Sequence, residues 1–249
     1  MPSDLISHRL QCEQPEERPV VDVNVNNGNR QPRANRMRAK TVSLVLSLML
    51  AFSSVHAENK AYDTAINKAT KALGAGNFAE ADKQADVAEK IDPSSAQTAN
   101  LRGVIAVQKK DYDSAVNRFT QAIAADEKFY PAKLNLADVL LLQSKYADAR
   151  SRYEELQQLD PKSELLQFKI VVTDLLDNRE SQALELINQM TFPGVTPAYY
   201  FARAAVLLKN SREKQAQQYF TNARKYYDEQ QCAYFVRFLQ QNGFAKRTP

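Results

Sequence analysis

Lys110-Asp111-Tyr112-Asp113-Ser114-Ala115-Val116-Asn117-Arg118-Phe119-Thr120-Gln121-Ala122 is the stretch from which the fold is read. Its Ala115 recurs as Ala81, Ala149 and Ala183 at intervals of 34 residues, and as Ala216 after a further 33. A small residue returning at that period marks a stacked helical repeat, in which two helices cross too closely for a larger side chain. Four residues beyond each alanine stand Ala85, Phe119, Tyr153, Ile187 and Phe220, and seven beyond stand Ala88, Ala122, Leu156, Met190 and Ala223. Phe78, Tyr112 and Tyr146 come three residues before it, replaced by Glu180 and Glu213 in the last two repeats. Pro93 and Pro161 follow twelve residues after their alanines, where a helix has to stop.

Working outward, the spacing predicts helix pairs at about 62–93, 96–128, 130–161, 164–191 and 197–227, and a last helix at about 231–241. Ser95 and Ser163 are placed to cap incoming helices, and Asn77 and Asp111 to cap the second helices of their units. The expected fold is all-α, a right-handed solenoid of five helix pairs closed by a carboxyl-terminal capping helix. Cys232, Phe235, Val236 and Leu239 fall on one face of that helix and are expected to pack on the fifth unit, with Cys232 a buried small residue rather than a reactive thiol.

The pattern resembles the tetratricopeptide family, whose units are helix pairs of 34 residues. Leu101-Arg102-Gly103 with Lys110 to Ala115 carries the resemblance best, followed by Leu136-Ala137, Lys145-Tyr146-Ala147-Asp148-Ala149 and Leu159-Asp160-Pro161. It extends from Glu58 to Tyr227, as units of about 62–95, 96–129, 130–163, 164–196 and 197–227, with 228–249 forming the cap and tail. What the resemblance implies is a concave groove lined by the first helices, holding an extended peptide or a partner helix. The groove positions it transfers are Ile66 and Thr70, Asn100 and Val104, Leu134 and Asp138, Phe168 and Val172, and Phe201 and Ala205. Ile66, Thr70 and Asp138 stand where a carboxylate-clamping branch of the family has lysines and asparagines, so that clamp is absent. The alternative is that these apolar residues only contact neighbouring helices.

The fourth unit breaks the pattern. Its first helix is apolar nearly all round, and strict counting puts Asp174 at a core position. A lone buried carboxylate is expensive. Either this helix is shifted by one residue, which is the favoured expectation, or Asp174 has a buried partner.

Ahead of the repeats, Met37-Arg38-Ala39-Lys40, the apolar run Val42 to Val55 and the small-residue site Val55-His56-Ala57 have the layout of a signal peptide over 37–57. The run falls short of the roughly 20 residues that span a bilayer. The expected location is therefore periplasmic or secreted, with an uncleaved membrane anchor as the alternative. Residues 1–36 have almost no apolar periodicity and read as disordered or as an upstream extension of the frame.

Cleavage would remove both histidines and Cys12, leaving 26 basic against 24 acidic residues. The chain after Ala57 then has no imidazole for a general base or nucleophilic triad, no His/Cys set for a metal and no intramolecular disulfide. No catalytic residue, cofactor or metal is expected, and the charge excess is too small for a nucleic-acid binder. Binding of a protein or peptide is the leading expectation, self-association as an envelope scaffold the second, and a hydrolase using carboxylates alone a remote third. Residues 200–249 hold 9 basic against 3 acidic residues. There Tyr234 and Phe238, with Arg237 nearby, lie away from the Cys232–Leu239 face. They are expected to remain partly exposed as a contact surface, unless they fold under Gly243-Phe244.

Overall fold

The computed structural model describes residues 60–244. Eleven helices run through them: α1 (60–74), α2 (Phe78–Ile91), α3 (Ala96–Gln108), α4 (Tyr112–Ala125), α5 (Tyr130–Leu142), α6 (Tyr146–Leu159), α7 (Glu164–Leu176), α8 (Glu180–Gln189), α9 (Ala198–Lys209), α10 (Glu213–Tyr226) and α11 (Glu229–Gln241). The first ten form five stacked pairs, an all-α solenoid. The leader expected at 37–57 and the segment before it lie outside the described residues.

The recurring alanines explain the stacking. Ala81, Ala115, Ala149, Ala183 and Ala216 are each completely buried. Gly103 shows how tight a crossing is: a Cβ there would stand 2.4 Å from the Phe119 ring. The third unit has Ala137 and Tyr153 at the matching positions and the fourth has Val171 and Ile187, all fully buried. In the fourth unit the larger Val171 on the first helix goes with the smaller Ile187 on the second, which keeps that crossing filled without overlap.

Each turn between paired helices uses one left-handed residue, at Gly76, Lys110, Ser144, Asn178 and Ser211. The period recurs in the backbone, and only the first unit meets it with glycine. A side chain in this region costs about 1 kcal/mol, an expense that asparagine carries best. Lys110→Gly and Ser144→Gly are therefore each expected to raise stability by about 0.5 kcal/mol, with Asn178→Gly closer to neutral. Urea unfolding of the three variants checks the order; equal losses in all three would refute it.

Asn77, Ser95 and Asp111 cap their helices by accepting from Glu80, Thr98 and Ser114 amides. Ser163 occupies the cap position of α7 without such a bond, against expectation. Arg102 of α3 binds Glu89 and Asp86 of α2, and Arg118 of α4 reaches Glu89 at 2.9 Å, tying the first two units together.

The fourth unit keeps its register. α7 begins 34 residues after α5 and has the same 13-residue length, so the expected one-residue shift does not occur. Asp174 is buried and partnered instead: Arg150 Nε of α6 donates to its Oδ1 at 2.7 Å, and Arg179 stands at 3.6 Å. The 33-residue interval before Ala216 arises in α9, which is one residue shorter than α7. The connector after α8 is held by Glu164, whose carboxylate accepts from the Val195 and Thr196 amides at 2.8 and 2.7 Å. Tyr227 secures the same segment, donating to the Gly194 carbonyl at 3.0 Å.

Candidate partner-binding groove

The concave face is built from the first helices of the units, and neighbours among them touch directly, α3 with α5 and α7 with α9. This contact decides the fate of the transferred groove positions. Ile66, Asn100, Val104, Leu134, Phe168, Val172, Phe201 and Ala205 are all buried, and only Thr70 and Asp138 keep partial exposure. Side chains between two adjacent inner helices interdigitate and close the seam. Asn100 illustrates it: its Oδ1 accepts from Asn135 Nδ2 of the next unit at 2.9 Å. The expectation that all these residues line a free groove is corrected accordingly.

The second correction concerns α11. A helix stacked on the end of the array would meet the fifth unit alone. Here Phe235 lies 5.3 Å from Phe201 of α9 and 4.9 Å from Phe168 of α7, and Phe238 lies 5.5 Å from Phe168. The helix therefore runs across the concave face of the fifth and fourth units. Its buried residues are Cys232, Phe235, Phe238 and Leu239, while Val236 is only half-buried. Phe238 is thus not an exposed contact residue; Tyr234 and Arg237 are half-buried. The reason is geometric: a helix in a concave seat is touched on more of its circumference than one lying on a flat end. Burial also pushes the Cys232 thiol up, so the sulfur stays protonated and inert.

At the centre of this seat is a charge. Lys169 of α7 is completely buried, and its ammonium donates to Asp138 Oδ1 at 2.6 Å. Tyr153 donates to the same oxygen at 2.6 Å. The ammonium stands 3.9 Å from the Phe238 ring centre and 5.7 Å from that of Tyr234. A buried cation needs a counter-charge and benefits from ring faces. Asp138 supplies the first from the array, and α11 supplies rings from above.

Alongside the second half of α11 the inner face opens into a cleft. Val107, Gln108, Asn135, Asp138 and Leu142 of α3 and α5 form one wall, and Tyr234, Phe238, Gln241 and the following Asn242 form the other. An apolar floor bordered by amide side chains suits an extended backbone, whose N–H and C=O groups need both donors and acceptors.

Tetratricopeptide repeat models match residues 66–116 and 106–167. Residues 66–167 carry tetratricopeptide repeats. Among solved structures it is similar to a tetratricopeptide repeat protein from Parabacteroides merdae, with a TM-score of 0.58 at 16% identity over 82% of this chain and 80% of that one. It is also similar to Pseudomonas aeruginosa pilF, with a TM-score of 0.56 at 22% identity over 74% of this chain and 85% of that one. At such identities the likeness concerns the fold alone. No curated protein matches the chain. Tetratricopeptide repeat proteins are typically non-enzymatic scaffolds for protein–protein interaction.

Of the cleft lining, sequence reasoning named Asp138, Tyr234 and Phe238 and passed over Gln108, Asn135, Leu142, Gln241 and Asn242. Gln108 and Leu142 are 34 residues apart in the last turns of α3 and α5, so the repeat period itself could have found them. Gln241 and Asn242 carried no such signal, because only the fold brings them there. Also unforeseen is an aromatic edge where the connector after α8 meets the end of α10. Phe192, Val195 and Tyr226 are 64%, 83% and 67% exposed. Phe192 rests on Tyr199 at 5.0 Å, Tyr226 stacks on Tyr200 at 6.2 Å, and the Glu164 clamp holds the segment. Among the described residues no helix is long and apolar enough to cross a membrane, and no group of acidic, His or Cys side chains is arranged to hold a metal ion.

Proposed function

We propose that this chain is an exported, non-enzymatic interaction module that holds an extended segment of a protein partner in the cleft between α3, α5 and the end of α11. The observation that carries this reading is the cleft: an apolar floor with Gln108, Asn135 and Asn242 around it, on the inner face of a repeat array. The signal-like stretch at 37–57 is what supports export, and it makes the periplasm or the exterior the compartment in which to look for the partner.

Leu142→Asp puts a charge into the cleft at a half-buried position, whereas Leu134→Asp or Phe201→Asp would strike the core. Crosslinking from envelope fractions is expected to capture a partner with the wild-type chain and to lose it at least tenfold with Leu142→Asp. Thermal unfolding should stay within a few degrees. Equal capture by both proteins would rule the cleft out. Amino-terminal sequencing of the exported protein tests the compartment separately, with cleavage after Ala57 the expected result.

A second reading, self-association into a scaffold, draws its support from the exposed aromatic edge at Phe192, Val195 and Tyr226, since rigid exposed rings commonly mark contact surfaces. Light scattering of the purified chain separates the two, because a monodisperse monomer removes the scaffold.

A further inference from the structure

The fourth unit departs from the repeat where its second helix ends. α8 has 10 residues against 14 in α6 and α10, so 190–197 form a connector where α6 and α7 are joined by 160–163 alone. Pro193 keeps α8 from continuing through it, and 189–202 carry no charged side chain. The connector meets α9 and the end of α10 around one ring, that of Tyr200. Phe192 lies 5.7 Å from it, Tyr199 5.9 Å, Tyr227 6.0 Å and Tyr226 6.2 Å. Among the described residues the Tyr200 and Tyr226 hydroxyls have no hydrogen-bond partner, although Tyr200 is 4% exposed. Burial and the neighbouring Tyr226 and Tyr199 phenols push the Tyr200 hydroxyl above the ordinary tyrosine range, so it stays protonated. A largely buried donor without an acceptor costs free energy that a ligand carbonyl recovers.

We propose that Phe192, Tyr200 and Tyr226 form a second binding site that takes a proline-rich segment of a partner protein in the polyproline II conformation. Such a backbone makes no internal hydrogen bonds, and proline has no N–H. The segment therefore presents carbonyl acceptors and apolar ring faces and asks for no acceptor in return. The edge offers the complement: exposed ring faces, phenol donors and no charge along 189–202. Aromatic-lined surfaces take these segments because the ligand is already extended and loses little entropy on docking. The edge is also held in shape beforehand, by the Glu164 carboxylate on the Val195 and Thr196 amides and by Tyr227 on the Gly194 carbonyl. A second copy does not supply this ligand, since the described prolines, at 93, 131, 161, 193 and 197, stand singly in or beside the turns between helices. The cleft lies at the last turns of α3 and α5 and this edge at the first turn of α9, so the site does not rest on the cleft reading.

The test is fluorescence anisotropy of a labelled decaproline peptide titrated with the full chain, with a glycine–serine peptide of equal length as the control. Decaproline is expected to bind at least tenfold more tightly than the control. Phe192→Ala with Tyr226→Ala should cost at least tenfold in affinity, and because both side chains are exposed, thermal unfolding should stay within a few degrees. Tyr200→Phe removes only a hydroxyl and should weaken binding about fivefold, the net value of one hydrogen bond. Leu142→Asp in the cleft should bind decaproline as the wild-type chain does, so failure of the cleft reading and failure of this one are read separately. Decaproline binding no tighter than the control, or undiminished in the double ring variant, would overturn the proposal. So would a dimer in light scattering that the double ring variant dissolves and decaproline does not, because the edge would then belong to a second copy.

Discussion

Phe168→Ala is expected to remove about 4 kcal/mol of stability, the middle of the range for a buried phenylalanine. The ring is fully buried and serves two masters: it belongs to the core of the fourth unit and forms the floor under α11, with Phe235 at 4.9 Å and Phe238 at 5.5 Å. Its deletion leaves a cavity bounded by two aromatic rings of α11, so the loss combines the transfer of the ring with the edge-on ring contacts. Denaturant unfolding measures the total. The same variant should show faster hydrogen exchange in α11 than in α3 or α5, because the seat has lost its floor while the first units are untouched. A loss below about 1 kcal/mol would mean that α11 and α7 are not packed as described.

Arg150→Ala carries the other large effect, expected at about 3 kcal/mol. Asp174 is 1% exposed, and Arg150 is its closest partner; Arg179 at 3.6 Å is too distant to replace it. Burial pushes the Asp174 carboxyl above the usual carboxylate range, with the Arg150 hydrogen bond and charge pulling against it. A raised carboxyl binds its proton more readily in the folded chain than in the unfolded one. Its contribution to stability is thus fully present below the ordinary aspartate range and is lost as pH rises through the raised value. Removing Arg150 takes away the opposing pull, so the deficit of Arg150→Ala should be largest at neutral pH and shrink on acidification. Asp174→Asn in the Arg150→Ala background should recover part of the loss and flatten that pH dependence. A deficit independent of pH would show that Arg150 acts through packing of its stem, not through its charge.

The two effects differ in how far they could have been anticipated. Asp174 was conspicuous as a carboxylate at a core position, yet its partner lies 24 residues earlier on α6, on a different helix. Spacing could pose the question, and only the packing of α6 against α7 could answer it. Phe168 was legible as an apolar groove position. Its burial was not, because it depends on where α11 goes.

The sequence by itself determined the repeat: the interval of the alanines, the aromatic residues at fixed offsets and the prolines at helix ends dictate five helix pairs, since those are local and periodic constraints that any stacked array must satisfy. It also determined that α11 would be an amphipathic helix with Cys232, Phe235 and Leu239 inward. Tertiary structure alone decided that this helix turns back over the concave face, that it covers Lys169 with Phe238, and that a cleft opens beside it at Gln108, Asn135 and Leu142. The physical reason is that periodicity reports which face of a helix is buried and says nothing of what buries it. A stripe of rings fits the end of the array and its inner face equally well. The choice rests on a buried lysine and two rings from units more than thirty residues apart in sequence, which come together only once the solenoid has curved.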